Sequence, residues 1–140
     1  MPEQRPIEAD LSSVGPARRW AKERFEEAGL EPDVRDLLVL LVSEVVTNAV
    51  AHAAPPLLLR IDVTPETTRV EVKDRARRLP ILKDPEPTET GGRGIRFVND
   101  LSTRWGTEPA RGPDGLKTVW FEVAHASPED AEESDDGPSD

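Results

Sequence analysis

The chain has 140 residues, a net charge of −10 and no cysteine, which excludes a disulfide framework and a thiolate zinc site. No run of about 18 apolar residues is available to span a membrane, and the opening MPEQRPIEADL has no apolar signal-peptide core, so a soluble cytoplasmic protein is expected. The acidic balance argues against direct nucleic-acid binding, and the length is that of a single domain able to bury a core.

Arg5 to Leu11 reads as a short edge strand. Ser12 or Ser13 can cap a helix running to Ala28, with Pro16 tolerated in the first turn and Gly29 stopping it. Val14, Ala17, Trp20, Ala21, Phe25 and Ala28 form its apolar face. Pro32 opens a second helix, which ends before Pro55-Pro56. From Leu37 onward this helix is almost wholly apolar, so most of its circumference is buried. Ser43, Glu44, Thr47, Asn48 and His52 interrupt it at spacings of three and four and therefore share one stripe. Stranding a carboxylate or carboxamide there costs several kcal/mol or so, so Glu44 and Asn48 need partners. Either they satisfy each other or the backbone, or they aim at a shared polar object.

Two strands follow, Leu57 to Val63 and Arg69 to Val72, around the turn Pro65-Glu66-Thr67-Thr68. Asp74 ends the second strand. A carboxylate there can accept from an exocyclic amine, though Asp is also an ordinary turn residue. Asp74 to Gly92 is irregular, with three prolines, and a loop of that length in a compact domain is usually functional. Lys73 to Arg96 holds seven bases against four acids, a locally basic segment in an acidic chain. Gly91-Gly92-Arg93-Gly94 precedes a short helix, Gly94 to Leu101. Such glycines let backbone amides approach a phosphate, and the helix start adds a favourable dipole; a plain hinge is the other reading. Arg104 to Glu108 and Leu116 to Val123 are the last strands, joined by the turn Gly112-Pro113-Asp114-Gly115. Thr118 sits in the last of them, out of phase with Val119, Phe121 and Val123. Ala126 to Asp140 carries seven acids and no base, and removing it leaves the rest at −3. With no large apolar residue this tail is expected to be disordered, either as a solubilising end or steering a basic partner. The order β-α-α-β-β-loop-α-β-β indicates α+β architecture, one helical layer on one sheet. The domain is expected over residues 7–124 and the tail over 126–140.

The order of these pieces resembles the GHKL ATPase superfamily. Glu44-x-x-x-Asn48 lies on a buried helix, Asp74 at a strand end, then come a variable loop, Gly92-Arg93-Gly94-Ile95, and Lys117-Thr118-Val119-Trp120-Phe121. The phrases LLVSEVVTNAVAHA, GGRGIRFVNDLSTRWG and LKTVWFEV look like the N box, second glycine box and final strand of the single-domain anti-sigma factor kinases, particularly their actinobacterial versions. The resemblance implies a Bergerat ATP-binding fold, a two-layer sandwich with helices on one face of a mixed sheet. It implies ATP and magnesium as cofactors and assigns roles by position. Glu44 matches the general base and Asn48 the magnesium ligand. Asp74 matches the reader of the adenine amine. Gly92, Arg93, Gly94 and Ile95 match the phosphate-side loop and helix start, and Thr118 matches the threonine near the adenine. The superfamily writes its first glycine box Asp-x-Gly-x-Gly, whereas Asp74-Arg75-Ala76-Arg77-Arg78 has no glycine. Two functions are implied. One is a serine/threonine kinase that sequesters a sigma factor and phosphorylates a STAS-domain antagonist. The other is a non-catalytic ATP-binding partner switch. A homodimer is among the assemblies the resemblance allows.

Overall fold

The computed structural model describes residues 2–52, 55–75, 98–109 and 115–125. Strand β1 spans Glu3–Ile7, helix α1 Val14–Glu27 and helix α2 Pro32–His52. Strands β2 (Leu57–Val63), β3 (Thr67–Asp74), β4 (Arg104–Glu108) and β5 (Lys117–Ala124) complete the order. The five strands form one sheet in the order β1-β2-β3-β5-β4. All four pairings are antiparallel, so among the described residues the sheet is not the mixed one that the resemblance implied. The α+β class stands, with two helices layered on one face of the sheet.

Local chemistry sets most of the boundaries. Strand β1 stops at Ile7, short of Leu11, because Glu8 to Asp10 turns back with Asp10 N–H donating to the Glu8 carbonyl at 2.8 Å. The Asp10 carboxylate then accepts from Ser12 N–H at 3.2 Å, capping a 3-10 turn at Leu11–Ser13 that leads into α1. Ser13 precedes α1 without a side-chain capping bond, so Asp10 holds the role expected of the serines. At the far end Gly29 takes φ +76°. Its N–H reaches the Glu26 carbonyl at 3.0 Å, and Leu30 N–H reaches that of Phe25 at 3.2 Å, the Schellman pattern that glycine permits. The β2–β3 turn is closed by Thr64, whose N–H and hydroxyl both donate to the Thr67 carbonyl, at 2.8 and 3.0 Å. Thr67 and Thr68, expected in the turn, are therefore the first residues of β3.

The core lies between the helices and one sheet face. Helix α1 buries Ala17, Ala21 and Phe25, four residues apart, and α2 buries Leu38, Leu41, Val42, Val45, Val46 and Ala49 at spacings of three and four. They meet Leu57, Leu59 and Ile61 of β2, Val70 and Val72 of β3, and Phe121 and Val123 of β5, all nearly inaccessible. Fully burying side chains of this size contributes about 1.5–3 kcal/mol each. Residues 98–101 are helical, and Val98 joins the core. Asn99 Oδ1 accepts from Trp105 Nε1 at 2.9 Å, tying that turn to β4. The expected helix start at Gly94 lies outside the described residues, as do the loop before it and the acidic tail. Among the described residues no helix is long and apolar enough to cross a membrane.

The opposite sheet face has no helix over it among the described residues and is held by charge. Arg69 Nη1 donates to Glu122 at 2.9 Å and its Nε to Glu71 at 2.8 Å. Arg60 reaches Glu71 at 3.5 Å, and Arg104 bonds the same Glu122 that Arg69 holds. The Arg69 guanidinium lies over the Trp120 ring, 4.2 Å from its centre. Opposite Trp120 in the register is Gly106, where an added Cβ would stand 2.9 Å from the indole.

Candidate nucleotide site

Helix α2 carries the polar stripe that its sequence requires. Ser43, Glu44, Thr47 and Asn48 are half-buried, while Val42, Val45, Val46 and Ala49 beside them are buried. Neither Glu44 nor Asn48 has a hydrogen bond or ion pair among the described residues, so the option of mutual satisfaction is not taken up there. Burial raises the Glu44 carboxyl above its ordinary value. His52, at the end of the helix, is exposed. His125 also lies apart from the stripe: its ring meets the Thr68 hydroxyl at 2.9 Å, and burial lowers its pKa.

The topology brings the C-terminal half of α2 to one end of the sheet. Only residues 53–56 separate α2 from β2, and the first residues of β2 lie beside the last of β3, with Leu58 opposite Lys73. Asp74, at the end of β3, is 1% exposed. Directly across from it in the β3–β5 register is Lys117, 6% exposed, with Nζ 3.3 Å from Asp74 Oδ2. Asp74 and Lys117 share the helix-facing side with Val72 and Val119, because directly paired residues point the same way and neighbours alternate.

Thr118 therefore does not share a face with Asp74. It pairs with Lys73 and belongs to the outer side with Trp120 and Glu122, although it is itself buried. The residue beside Asp74 is Lys117, the chain neighbour of Thr118, to which the family motif assigns no role. Its placement has a signal in the sequence: Val119, Phe121 and Val123 face inward, and a period of two puts Lys117 in phase with them and Thr118 out of phase. Gly92, Arg93, Gly94 and Ile95 lie outside the described residues.

The donor set fits its expected ligands. Asn48 offers one hard oxygen from a carboxamide with no partner among the described residues. Magnesium keeps several waters and takes phosphate oxygens, so a single protein oxygen fits it. Among the described residues no group of three His, Asp or Glu side chains could hold a metal alone. Asp74 supplies a buried acceptor of the kind an adenine amine needs.

Comparison with known proteins bears on the family and the fold. The family model described as the histidine kinase-like ATPase domain matches residues 7–122. No match was found among curated proteins. The solved structure of the RsbU and RsbW domains of Rv1364c from Mycobacterium tuberculosis is similar, with a TM-score of 0.63 and 18% identity over 91% of this chain. This chain spans 33% of that one. The SiaB–SiaC complex from Pseudomonas aeruginosa is similar with a TM-score of 0.59 and 10% identity, covering 89% of each chain. At these identities the two likenesses carry the fold. The family match covers most of the sequence, and the chain belongs to the histidine kinase-like ATPase domain family, an ATP-binding fold.

Proposed function

We propose that this protein is a cytoplasmic ATP-binding regulator that sequesters a sigma factor and phosphorylates a serine or threonine of a STAS-domain antagonist. The observation that carries the reading is the pair Glu44 and Asn48, one turn apart, half-buried and without partners among the described residues. Glu44 acts as the general base, taking the proton of the acceptor hydroxyl as its oxygen bonds to the γ-phosphorus and the bond to the β-phosphate breaks, leaving ADP. Its raised pKa improves it as a base. Asn48 would hold magnesium, which would supply charge neutralisation on the phosphates. Asp74 accepts from the adenine amine, and Gly92, Arg93, Gly94 and Ile95 take the phosphate side. The RsbW-domain likeness and the crystallised SiaB–SiaC pair support a role that works through protein partners, by one copy or a homodimer.

The test is transfer from γ-labelled Mg-ATP to candidate STAS-domain proteins, with calorimetry of ATP alongside. Label on a serine or threonine, lost in Glu44→Gln while ATP still binds, is the expected result. The second reading, a switch that binds ATP without transferring phosphate, is favoured by the glycine-free run Asp74-Arg75-Ala76-Arg77-Arg78. ATP binding with no transfer to any STAS protein would decide for it.

A further inference from the structure

Asp36, Leu40, Glu44 and Asn48 follow one another at intervals of four along α2, so they form one ridge, with about 6 Å of helix axis between successive members. The nucleotide elements gather at its Asn48 end, because the C-terminal half of α2 meets the end of the sheet that carries Asp74. The ridge continues away from them through Leu40 to Asp36. Leu40 is 42% exposed, one of the few large hydrophobic side chains left to solvent among the described residues. A single exposed leucine is ordinary on a protein surface; this one stands a turn from the proposed base. Asp36 is also exposed and has no ion pair or hydrogen bond among the described residues. Asp33, exposed in the first turn of the helix, adds a second negative charge near it. Arg35, between them in the sequence, is half-buried and projects about 100° away from Asp36 around the helix axis.

An acceptor hydroxyl has to come within about 2.6–3.2 Å of the Glu44 carboxylate to lose its proton there. The segment that carries it crosses the ridge at Glu44 and meets what flanks Glu44 on the side away from ATP, Leu40 and then Asp36. We propose that Leu40 and Asp36 form an acceptor track. It takes a segment of the STAS-domain protein with an apolar side chain about 6 Å, and a lysine or arginine about 12 Å, from the phosphorylated hydroxyl. An extended segment covers each of these steps in about two residues, a helix in about four. The track rests on the kinase reading and adds to it the chemistry of the substrate. Leu40 gives up its contact with water to the apolar side chain, and the acids at 36 and 33 attract the cation. Neither Leu40 nor Asp36 touches the reacting atoms, so both are positioning residues.

Initial rates of transfer from Mg-ATP to a STAS-domain protein that the unaltered chain labels, measured against acceptor concentration, test the track. Leu40→Ala and Asp36→Lys should each raise KM for the acceptor about tenfold and keep kcat, the signature of lost acceptor binding. Asp36→Glu keeps the charge and should keep the KM of the unaltered chain. In the acceptor, each lysine or arginine near the labelled hydroxyl is changed to glutamate in turn. One of these changes should restore the KM of Asp36→Lys and leave that of Leu40→Ala raised. Calorimetry of ATP on each variant reads whether α2 is intact, and Leu40→Ser or Asp36→Asn replaces a variant that fails it. KM unchanged in both variants while transfer proceeds overturns the track and leaves the kinase reading standing. So does a fall in kcat with KM unchanged, or failure of every acceptor change to restore Asp36→Lys. If the unaltered chain labels no STAS-domain protein, the kinase reading falls and the track with it.

Discussion

Glu44 and Glu122 are glutamates in one small domain with opposite treatment. Glu122 lies on the outer sheet face between two arginines: Arg104 first, then Arg69, bond it and hold its carboxyl below its ordinary value, against the opposing effect of burial. Glu44 lies on the α2 stripe with no partner among the described residues, and burial raises it. The outer face completes its own charge pairs through Arg60, Arg69, Glu71, Arg104 and Glu122. The α2 stripe has no such pair among the described residues. A surface whose charges are internally paired is serving the fold, whereas a half-buried carboxylate left unpaired costs stability and points to a task outside the fold.

The contrast breaks first at catalysis. Glu44→Gln keeps the shape of the side chain and removes its base, so phosphoryl transfer should fall by about 10²–10⁴-fold with ATP affinity retained. Quantifying label on a STAS protein checks this, and a mutant that transfers at the unaltered rate would place Glu44 among the structural carboxylates. Asp74→Asn comes next. It replaces an acceptor-only group with one that can also donate, and the loss of a charged hydrogen bond of about 1.5–3 kcal/mol should weaken ATP by roughly 10–100-fold. Calorimetry should also find ATP tighter than GTP in the unaltered chain, and equal affinities would remove Asp74 from base recognition.

The outer face is sharpened by a glycine. An alanine at 106 would put its Cβ 2.9 Å from Trp120 Cζ2 and 3.1 Å from Cε2 and Nε1. The indole cannot swing away without leaving Arg69, stacked 4.2 Å from its centre. Overpacking of this kind costs about 1–3 kcal/mol. Gly106→Ala should therefore lower the melting temperature and leave nucleotide affinity unchanged, since residue 106 lies on the face away from Asp74. A weakened affinity for ATP would show that the two faces are coupled.

The two regions also differ in how far the amino-acid sequence reveals them. The stripe on α2 follows from spacing, because an apolar helix makes each polar residue conspicuous. Gly29 and the two-helix layer follow from caps and periodicity. The outer charge lattice is not legible in the sequence, since Arg69 meets Glu122 only through a strand register that no single segment encodes. That Lys117 rather than Thr118 shares a face with Asp74 is legible in the alternation of β5. The early end of β1 turns on Asp10, a capping residue two positions before the serines that look better placed. Turn chemistry of this kind moves boundaries by a few residues without changing the elements.

The smallest effect is also the one in which the two glutamates differ in sign. For Glu44 the folded carboxyl titrates above its ordinary value of 4.5. The stability this group contributes is therefore full below the unfolded value and is lost as pH rises through the folded one. For Glu122 the folded value is depressed below 4.5, so its contribution is present above the unfolded value and is lost as pH falls through the folded one. Urea unfolding from about pH 3 to about pH 8 reads both. Glu44→Gln should gain stability relative to the unaltered chain on the side above 4.5, with the gain shrinking toward acid. Glu122→Gln should lose stability on that same side, with the loss shrinking toward acid as the unaltered chain loses its own ion pairs. Both groups are partly solvated, which keeps the slopes shallow. Parallel curves for the two variants would mean that the unpaired carboxylate on α2 and the paired one on β5 sit in equivalent environments, and the division between a functional stripe and a structural face would fall with that result.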